Sequence, residues 1–214
     1  DVICDMTNSS GGTRAWHLLR RLVSRPFKVT YGNARISDVT KSLATALAEQ
    51  DLSSPRLDAW FENEVQHAIR DGLAYTSPVP FKLRALPLSS NGMLEPAERR
   101  FRRRTVCLFG PEGVSQVDQF AAMFIDNELG HSIGMPTRGS SNTWEWHEPV
   151  VLPGTGRRIA EMMWSLGNVI RPNGEVLEGN APRPAEYVPL TRANHRQYLD
   201  ELVNRACRWL QQDT

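Results

Sequence analysis

The chain has 214 residues, of which 40% are hydrophobic, and this is enough for one folded domain with a core of its own. Its 25 lysine and arginine residues nearly balance 24 aspartate and glutamate residues, so the overall charge indicates no nucleic-acid partner. We interpret the one basic run, residues 99–104, as a solvated approach to the strand that follows it. No apolar run reaches the roughly 18 residues that a membrane span needs.

The first elements follow the order strand, glycine turn, helix. Residues 1–6, "DVICDM", predict a buried strand, "TNSSGG" a turn, and residues 13–24 an amphipathic helix. Residues 27–31, "FKVTY", predict a second strand. The expected apolar face of the helix consists of Trp16, Leu18, Leu19, Leu22 and Val23.

The middle of the chain predicts helices over residues 36–49 and 55–71, followed by a proline-punctuated extended stretch. We interpret residues 36–98 as a mostly helical insertion in the domain. The second of these helices is expected to bury Leu57, Trp60, Phe61, Val65 and Ile69.

A strand, "TVCLF", ends just before the glycine-marked bend "GPEGVS", and a helix follows with Phe120, Ala121, Phe124 and Ile125 at helical spacing. Ser115 therefore lies at a helix N-terminus, where free N–H groups and the helix dipole stabilise an anion. The competing interpretation is that Ser115 is an N-cap and that Asp118 completes a capping box.

The last third predicts strands in "HSIG", "TWEWHEPVVL" and "RIAEMMWSLGNVI", an Asn-Gly turn in "RPNG", and a helix from Thr191 onward. Together the elements favour an α/β fold. The final helix is expected to bury one side formed by Tyr198, Leu199, Leu202, Val203, Cys207 and Leu210.

Three cysteines, Cys4, Cys107 and Cys207, lie far apart in apolar segments without metal-ligand spacing. We expect reduced, buried structural thiols and no metal site.

Three glycine-marked loops, "TNSSGG", "GPEGVSQVD" and "NGEVLEG", occur in an order that resembles the carboxyl-terminal processing, or tail-specific, serine proteases. Their neighbourhoods strengthen the likeness, because "VICDMTNSSGG", the "DN" at the end of the helix after Ser115 and the following "GMPTRG" resemble family motifs. Within the family, the greatest likeness is to the chlamydial protease-like activity factor subfamily. The resemblance covers most of the chain apart from the insertion.

The resemblance implies a crotonase/ClpP-like spiral sheet with flanking helices, and a serine endopeptidase that needs no cofactor. It makes Ser115 the nucleophile, and Gly11 or Gly12 with the N–H of Gln116 the oxyanion hole. These assignments meet a chemical requirement, because a serine nucleophile needs donors aimed at the developing oxyanion. It also implies secretion or a periplasmic location.

The general base departs from the commonest family pattern, because Ser140 stands where many members have a lysine. The resemblance to the chlamydial subfamily instead implies a Ser-His-Glu triad, and the glutamate of that triad corresponds to Glu178. Its histidine lies in an N-terminal portion that this chain does not contain, so we expect an upstream segment or a second chain to supply it. The competing interpretation of Glu178 is a solvated turn residue.

None of the chain's own histidines, His17, His67, His131, His147 and His195, matches the family's base, although His147 is an internal candidate. The residues Val114, Gln116 and Val117 are bulkier than the small residues of the family beside the nucleophile. A catalytically degenerate peptide-binding homologue and a crotonase-like acyl-CoA enzyme therefore remain as alternatives.

The expected substrate is a polypeptide that adds as a strand near "TRGSSNTWEW". Trp144 and Trp146, two apart on a predicted strand, share one face and line a substrate pocket or pack into the core.

Overall fold

The computed structural model describes residues 1–12, 15–42, 55–80, 93–141 and 145–212, with the backbone alone for residues 55–61 and 145–146. The chain divides into two compact units. The first consists of Asp1–Thr30, Pro87–Ser141 and Arg171–Thr214, and the second of Tyr31–Leu86 and Asn142–Ile170.

A four-stranded parallel sheet forms the centre of the first unit. Its strands in spatial order are β1 (Val2–Met6), β6 (Thr105–Phe109), β7 (His131–Gly134) and β11 (Glu186–Tyr187). A short antiparallel pair, β2 (Phe27–Lys28) and β5 (Met93–Leu94), belongs to the same unit. The α/β class predicted from the sequence is therefore confirmed.

Three helices accompany this sheet: α1 (Ala15–Leu22), α3 (Gln116–Asp126) and α4 (Tyr198–Gln211). Alternate residues of β6 point to opposite faces. On one face, Val106 and Leu108 join a core that includes Tyr198, Leu202 and Ala206 of helix α4. On the other face, the ring of Phe109 lies 6.3 Å from the rings of both Phe120 and Phe124 of helix α3.

The second unit contains helix α2 (Pro55–Arg70) and a small antiparallel sheet of β10 (Val169–Ile170), β3 (Tyr31–Gly32) and β4 (Val79–Pro80). It also contains the hairpin of β8 (Glu145–Val151) and β9 (Arg158–Ser165), where β9 is exposed along almost its whole length. Residues 38–42 are helical, as predicted, whereas residues 36 and 37 are not, and residues 43–49 of the first predicted insertion helix lie outside the described residues.

Several predicted inner faces are wrong in detail. Helix α2 buries Val65 and Ala68, while Ile69 is 37% exposed, and the predictions for Leu57, Trp60 and Phe61 concern side chains that are not described. Helix α1 buries Trp16 and Leu19 and leaves Leu18 exposed. The periodicity identified both helices correctly, but neighbouring packing selected a narrower buried stripe than the apolar residues alone suggest.

The last helix begins at Tyr198, seven residues after the predicted start at Thr191. The Asn194 side chain accepts a hydrogen bond from the Thr191 N–H and donates to the Pro189 carbonyl, and such local bonds compete with helix formation. Leu199 and Cys207, both predicted to be buried, are exposed. Cys107 is buried and Cys4 is half-buried on the neighbouring strand, so the prediction of buried thiols is wrong for Cys207 alone.

No helix in the described ranges is long and apolar enough to cross a membrane.

Candidate active site

Ser115 occupies a strained position between the end of strand β6 and the start of helix α3. Its backbone dihedrals are φ 59° and ψ −113°, a combination that residues other than glycine rarely adopt. Ser115 is the residue before the helix, but its side chain makes no capping hydrogen bond. The capping-box interpretation of Ser115 and Asp118 is therefore wrong, and the strain calls for another explanation.

The glycine turn after strand β1 lies directly against Ser115. A Cβ atom on Gly11 would lie 3.0 Å from the Cβ and 3.1 Å from the Oγ of Ser115. The turn and the serine are adjacent because β1 and β6 are parallel neighbours in register, so that their carboxyl ends meet at one edge of the sheet. Glycine at position 11 allows the backbone to approach the hydroxyl without a side chain between them.

Two separate parts of the chain, the turn with Gly11 and the start of helix α3, supply residues beside Ser115. Gln116 is the first residue of helix α3, where N–H groups have no intrahelical acceptor. Gly11 and Gly12 line the same cleft as Gln116. The structure thus places Ser115, Gly11, Gly12 and Gln116, the residues that the resemblance assigned to the nucleophile and the oxyanion hole, around one cleft.

The cleft beside these groups has a volume of about 490 Å³ and a largely apolar wall. Leu18, which the sequence placed on the apolar face of helix α1, forms part of the cleft wall, and this explains why it is 40% exposed. The apolar wall is formed by Met6, Ala15, Leu18, Val117 and Phe120. A cleft of this volume and lining can accept an apolar side chain or a similar small apolar group.

Residues 138–141, which we call the 138–141 loop, connect the serine to the segment of Glu178. The Ser115 N–H donates to the Ser140 carbonyl at 2.7 Å, and the Gly179 N–H donates to the Gly139 carbonyl at 2.8 Å. Ser140 thus contacts Ser115 through its backbone. Glu178 is exposed and follows Leu177, which is buried.

A buried ion pair anchors the segment that carries Glu178. Arg171 donates to both carboxylate oxygens of Asp126 at 2.6 and 3.0 Å, and both side chains are less than a tenth exposed. Arg171 also donates to the Asn180 carbonyl and to Glu175. The pKa of Glu175 is lowered by hydrogen bonds from Asn173 and Asn180 and by the charge of Arg171.

The Asp-Asn pair that ends helix α3 thus has two separate tasks. Asp126 holds Arg171, whereas the Asn127 side chain bonds both the N–H and the carbonyl of Lys28 in β2. The sequence identified the pair as part of a motif but missed Arg171. The available signal was a lone arginine directly after a buried strand, which could have been expected to need a carboxylate.

The described contacts of the histidines involve other groups than Ser115. His67 pairs with Asp71, His147 with Glu161 at 3.4 Å, and His195 contacts the Arg192 carbonyl. The ring of His131 stacks on Trp209, and His17 is on the exposed side of helix α1.

The predicted pocket residues receive no side-chain description. Trp144 lies outside the described residues, and Trp146 is described by its backbone in β8, where it pairs with Trp164 of β9. Their role stays a prediction.

No protein-family model matches the chain, and a search of curated proteins finds no match. Solved structures do match it. Mature CPAF, in a complex with lactacystin and in a second crystal structure, aligns with a TM-score of 0.70 at 18% identity over 99% of this chain and 44% of the CPAF chain. A peptidase structure from Parabacteroides merdae aligns with a TM-score of 0.59 at 16% identity over 97% of this chain and 51% of its own.

The chain therefore spans less than half the length of mature CPAF. At these identities the alignments establish a shared fold. They confirm, at the level of fold, the resemblance to tail-specific proteases of the CPAF kind that the sequence motifs predicted.

Proposed function

We propose that this chain carries the nucleophile of a serine endopeptidase with a crotonase/ClpP-like spiral fold. One observation carries the proposal: Ser115 is held at φ 59° and ψ −113° at a strand-to-helix turn, with Gly11 against its hydroxyl. A strained backbone at such a turn is typical of a serine displayed for attack on a carbonyl. The fold shared with CPAF and with a peptidase structure supports the same reading.

In the proposed reaction, Ser115 Oγ attacks the peptide carbonyl carbon and its proton passes to a histidine. The carbonyl oxygen becomes an oxyanion, stabilised by the Gln116 N–H and an N–H of Gly11 or Gly12. The histidine then protonates the leaving amine. In the second half of the reaction, water attacks the carbonyl carbon of the acyl-enzyme and gives a proton to the histidine. The histidine returns this proton to Ser115 Oγ as the carboxylic acid product leaves. Glu178 orients the histidine and stabilises its charged form.

The proposed histidine comes from an N-terminal portion of the same protein or from a second chain. The contacts of His67, His131, His147 and His195 with other groups favour this source. So does coverage of only 44% of the CPAF chain, since the remaining 56% is unmatched by this sequence. His147 is the internal alternative, and its Glu161 pairing argues against it.

We propose that the polypeptide substrate binds as an added strand near residues 137–146 and that the 490 Å³ cleft takes one of its apolar side chains. The cleft adjoins Ser115 through Gly11 and Gln116, which is where the side chain next to the scissile bond would lie. Trp144 and Trp146 are proposed to contact side chains further along the peptide.

The test is covalent labelling with a fluorophosphonate probe, located by intact mass and peptide mapping. We expect slow labelling of the 214-residue chain and fast labelling once the histidine-bearing segment is supplied, because loss of a triad base costs several orders of magnitude in rate. Ser115→Ala should abolish labelling in both forms. Glu178→Gln should lower the labelling rate and leave peptide affinity nearly unchanged.

Other outcomes separate the alternatives. Fast labelling of the isolated chain would contradict the missing-histidine argument and direct attention to His147. Peptide binding without labelling in either form would identify a degenerate binding module. Binding of acyl-CoA without labelling would identify the crotonase-like enzyme class.

A further inference from the structure

The 138–141 loop is fixed on both sides by backbone hydrogen bonds. Its Ser140 carbonyl accepts the Ser115 N–H, its Gly139 carbonyl accepts the Gly179 N–H, and its Arg138 N–H donates to the Gly113 carbonyl at 2.9 Å. A shift of this loop would therefore move the nucleophile relative to the segment that carries Glu178.

The carboxylate of Asp118 binds the backbone of the 138–141 loop. Its Oδ1 accepts the Gly139 N–H at 2.7 Å and its Oδ2 accepts the Ser140 N–H at 3.1 Å. The residue is 0% exposed. Burying a carboxylate is unfavourable unless charge-assisted hydrogen bonds compensate, and these two consecutive N–H groups provide them.

We propose that Asp118 is a positioning residue of the candidate active site. By fixing the N–H groups of Gly139 and Ser140, its carboxylate aims the Ser140 carbonyl at the Ser115 N–H. This restraint holds the serine in its strained conformation, with Oγ against Gly11. The inference rests on the proposed function of Ser115.

Loss of this restraint should affect reactivity because the backbone of Ser115 is strained. Ser115 has φ 59°, a conformation that serine rarely adopts, so without the restraint we expect its backbone to relax and Oγ to shift from its position against Gly11. A displacement of about 1 Å at a reacting group lowers rates by about 100-fold. A merely structural carboxylate would affect the folded fraction and leave the reactivity of each folded molecule unchanged.

The test uses Asp118→Asn and Asp118→Ala in the longest natural form of the protein. The asparagine keeps one acceptor oxygen and presents an NH₂ group to the second N–H, whereas alanine removes both acceptors. We expect the maximal labelling rate of the fluorophosphonate probe, per folded molecule, to fall about tenfold for asparagine and about 100-fold for alanine. The probe concentration at half-maximal rate should change less than threefold.

Amide hydrogen exchange provides an independent readout. Protection of the Gly139, Ser140 and Ser115 N–H groups should fall together in both variants. The matched control is Ser132→Ala, which removes a buried side-chain acceptor from the Ala185 N–H and leaves the 138–141 loop untouched. It should reduce stability without changing the labelling rate per folded molecule.

Ser141→Ala provides the test if neither Asp118 variant folds. It removes the hydrogen bond that the Gln119 side chain donates to Ser141 in the 138–141 loop, and Ser141 is partly exposed. We expect it to fold and to label about threefold more slowly. Unchanged labelling in a variant that has lost protection at Gly139 and Ser140 would overturn the proposal, as would unchanged protection at Ser115. If the wild-type protein is not labelled at all, the proposed function fails, and exchange at Ser115 alone decides whether Asp118 restrains it.

Discussion

Helices α3 and α4 flank the same sheet but obey different rules. Helix α4 buries Tyr198, Leu202 and Ala206, spaced four residues apart, and exposes the rest of its surface to varying degrees. Helix α3 buries nine consecutive residues from Gln116 to Phe124, three of them polar. Polar side chains on a buried helix need hydrogen-bond partners, which Asp118 and Gln119 have, whereas Gln116 Oε1 is buried without one in the described part of the chain.

These partners distinguish the first turn of helix α3 from the packing surface of helix α4. Asp118 bonds the backbone of the 138–141 loop, and Gln119 bonds Ser141 and Thr30. Helix α4 instead has polar residues that form ion pairs within the helix at its partly exposed surface, such as Arg205 with Glu201. We therefore expect substitutions at the start of α3 to affect reactivity first, and substitutions in α4 to affect stability first.

The largest expected effect is at Ser115. Both Ser115→Ala and Ser115→Gly should abolish probe labelling, a loss of at least three orders of magnitude, because the only proposed nucleophile is removed. The two variants should differ in stability. Glycine tolerates φ 59° and alanine does not, so glycine should be more stable by about 1 kcal/mol in chemical unfolding.

Equal stability of the two Ser115 variants would show that the backbone relaxes on substitution and that the strain is not imposed by the 138–141 loop. Labelling that persists in both variants, mapped to another residue, would remove the functional distinction between the helices.

The sequence predicted the parts of the molecule that depend on local periodicity. The strand Thr105–Phe109 and the helix after Ser115 follow from apolar spacing and a glycine bend, and the α/β class follows from the order of elements. The juxtaposition of Gly11 with Ser115 is what the resemblance to tail-specific proteases implied, because that resemblance assigned both residues to one site.

Other features could not be read from the sequence because they depend on distant partners. Asp118 looks like a capping residue from its spacing to Ser115, but its real partners are 21 and 22 residues away. The pair of Arg171 and Asp126 joins residues 45 positions apart. Apolar periodicity also overestimated the buried face of α4, because Leu199 and Cys207 fit the spacing and remain exposed.

Leu202→Ala should produce the largest stability effect in helix α4. Leu202 is 0% exposed and packs in the cluster with Val106, Leu108 and Ile133. Removing its side chain should lower the free energy of unfolding by about 2 to 5 kcal/mol. Urea unfolding would measure this loss, and the labelling rate per folded molecule should stay within a factor of two. A tenfold slower rate would show that α4 contributes to the site and would break the comparison between the helices.

The smallest expected effect is at Tyr198, whose hydroxyl donates to the Val188 carbonyl at 2.8 Å. Tyr198→Phe keeps the ring and leaves that carbonyl without this donor, so the free energy of unfolding should fall by about 1 kcal/mol near pH 7. Burial, with smaller contributions from the charges of Tyr187 and Glu201, raises the pKa of Tyr198 from 10.0 to about 12.

Because the folded state holds the phenol proton more tightly than the unfolded state, this contribution is fully present below pH 10 and is lost as the pH rises towards 12. The wild-type protein should therefore lose stability faster than Tyr198→Phe over this interval, and urea unfolding at pH 9, 10 and 11 would measure the difference. Ser132→Ala, which changes no titrating group, provides the control for general alkaline destabilisation. Parallel pH profiles of wild type and Tyr198→Phe would show that the phenol titrates alike in both states and would contradict this prediction.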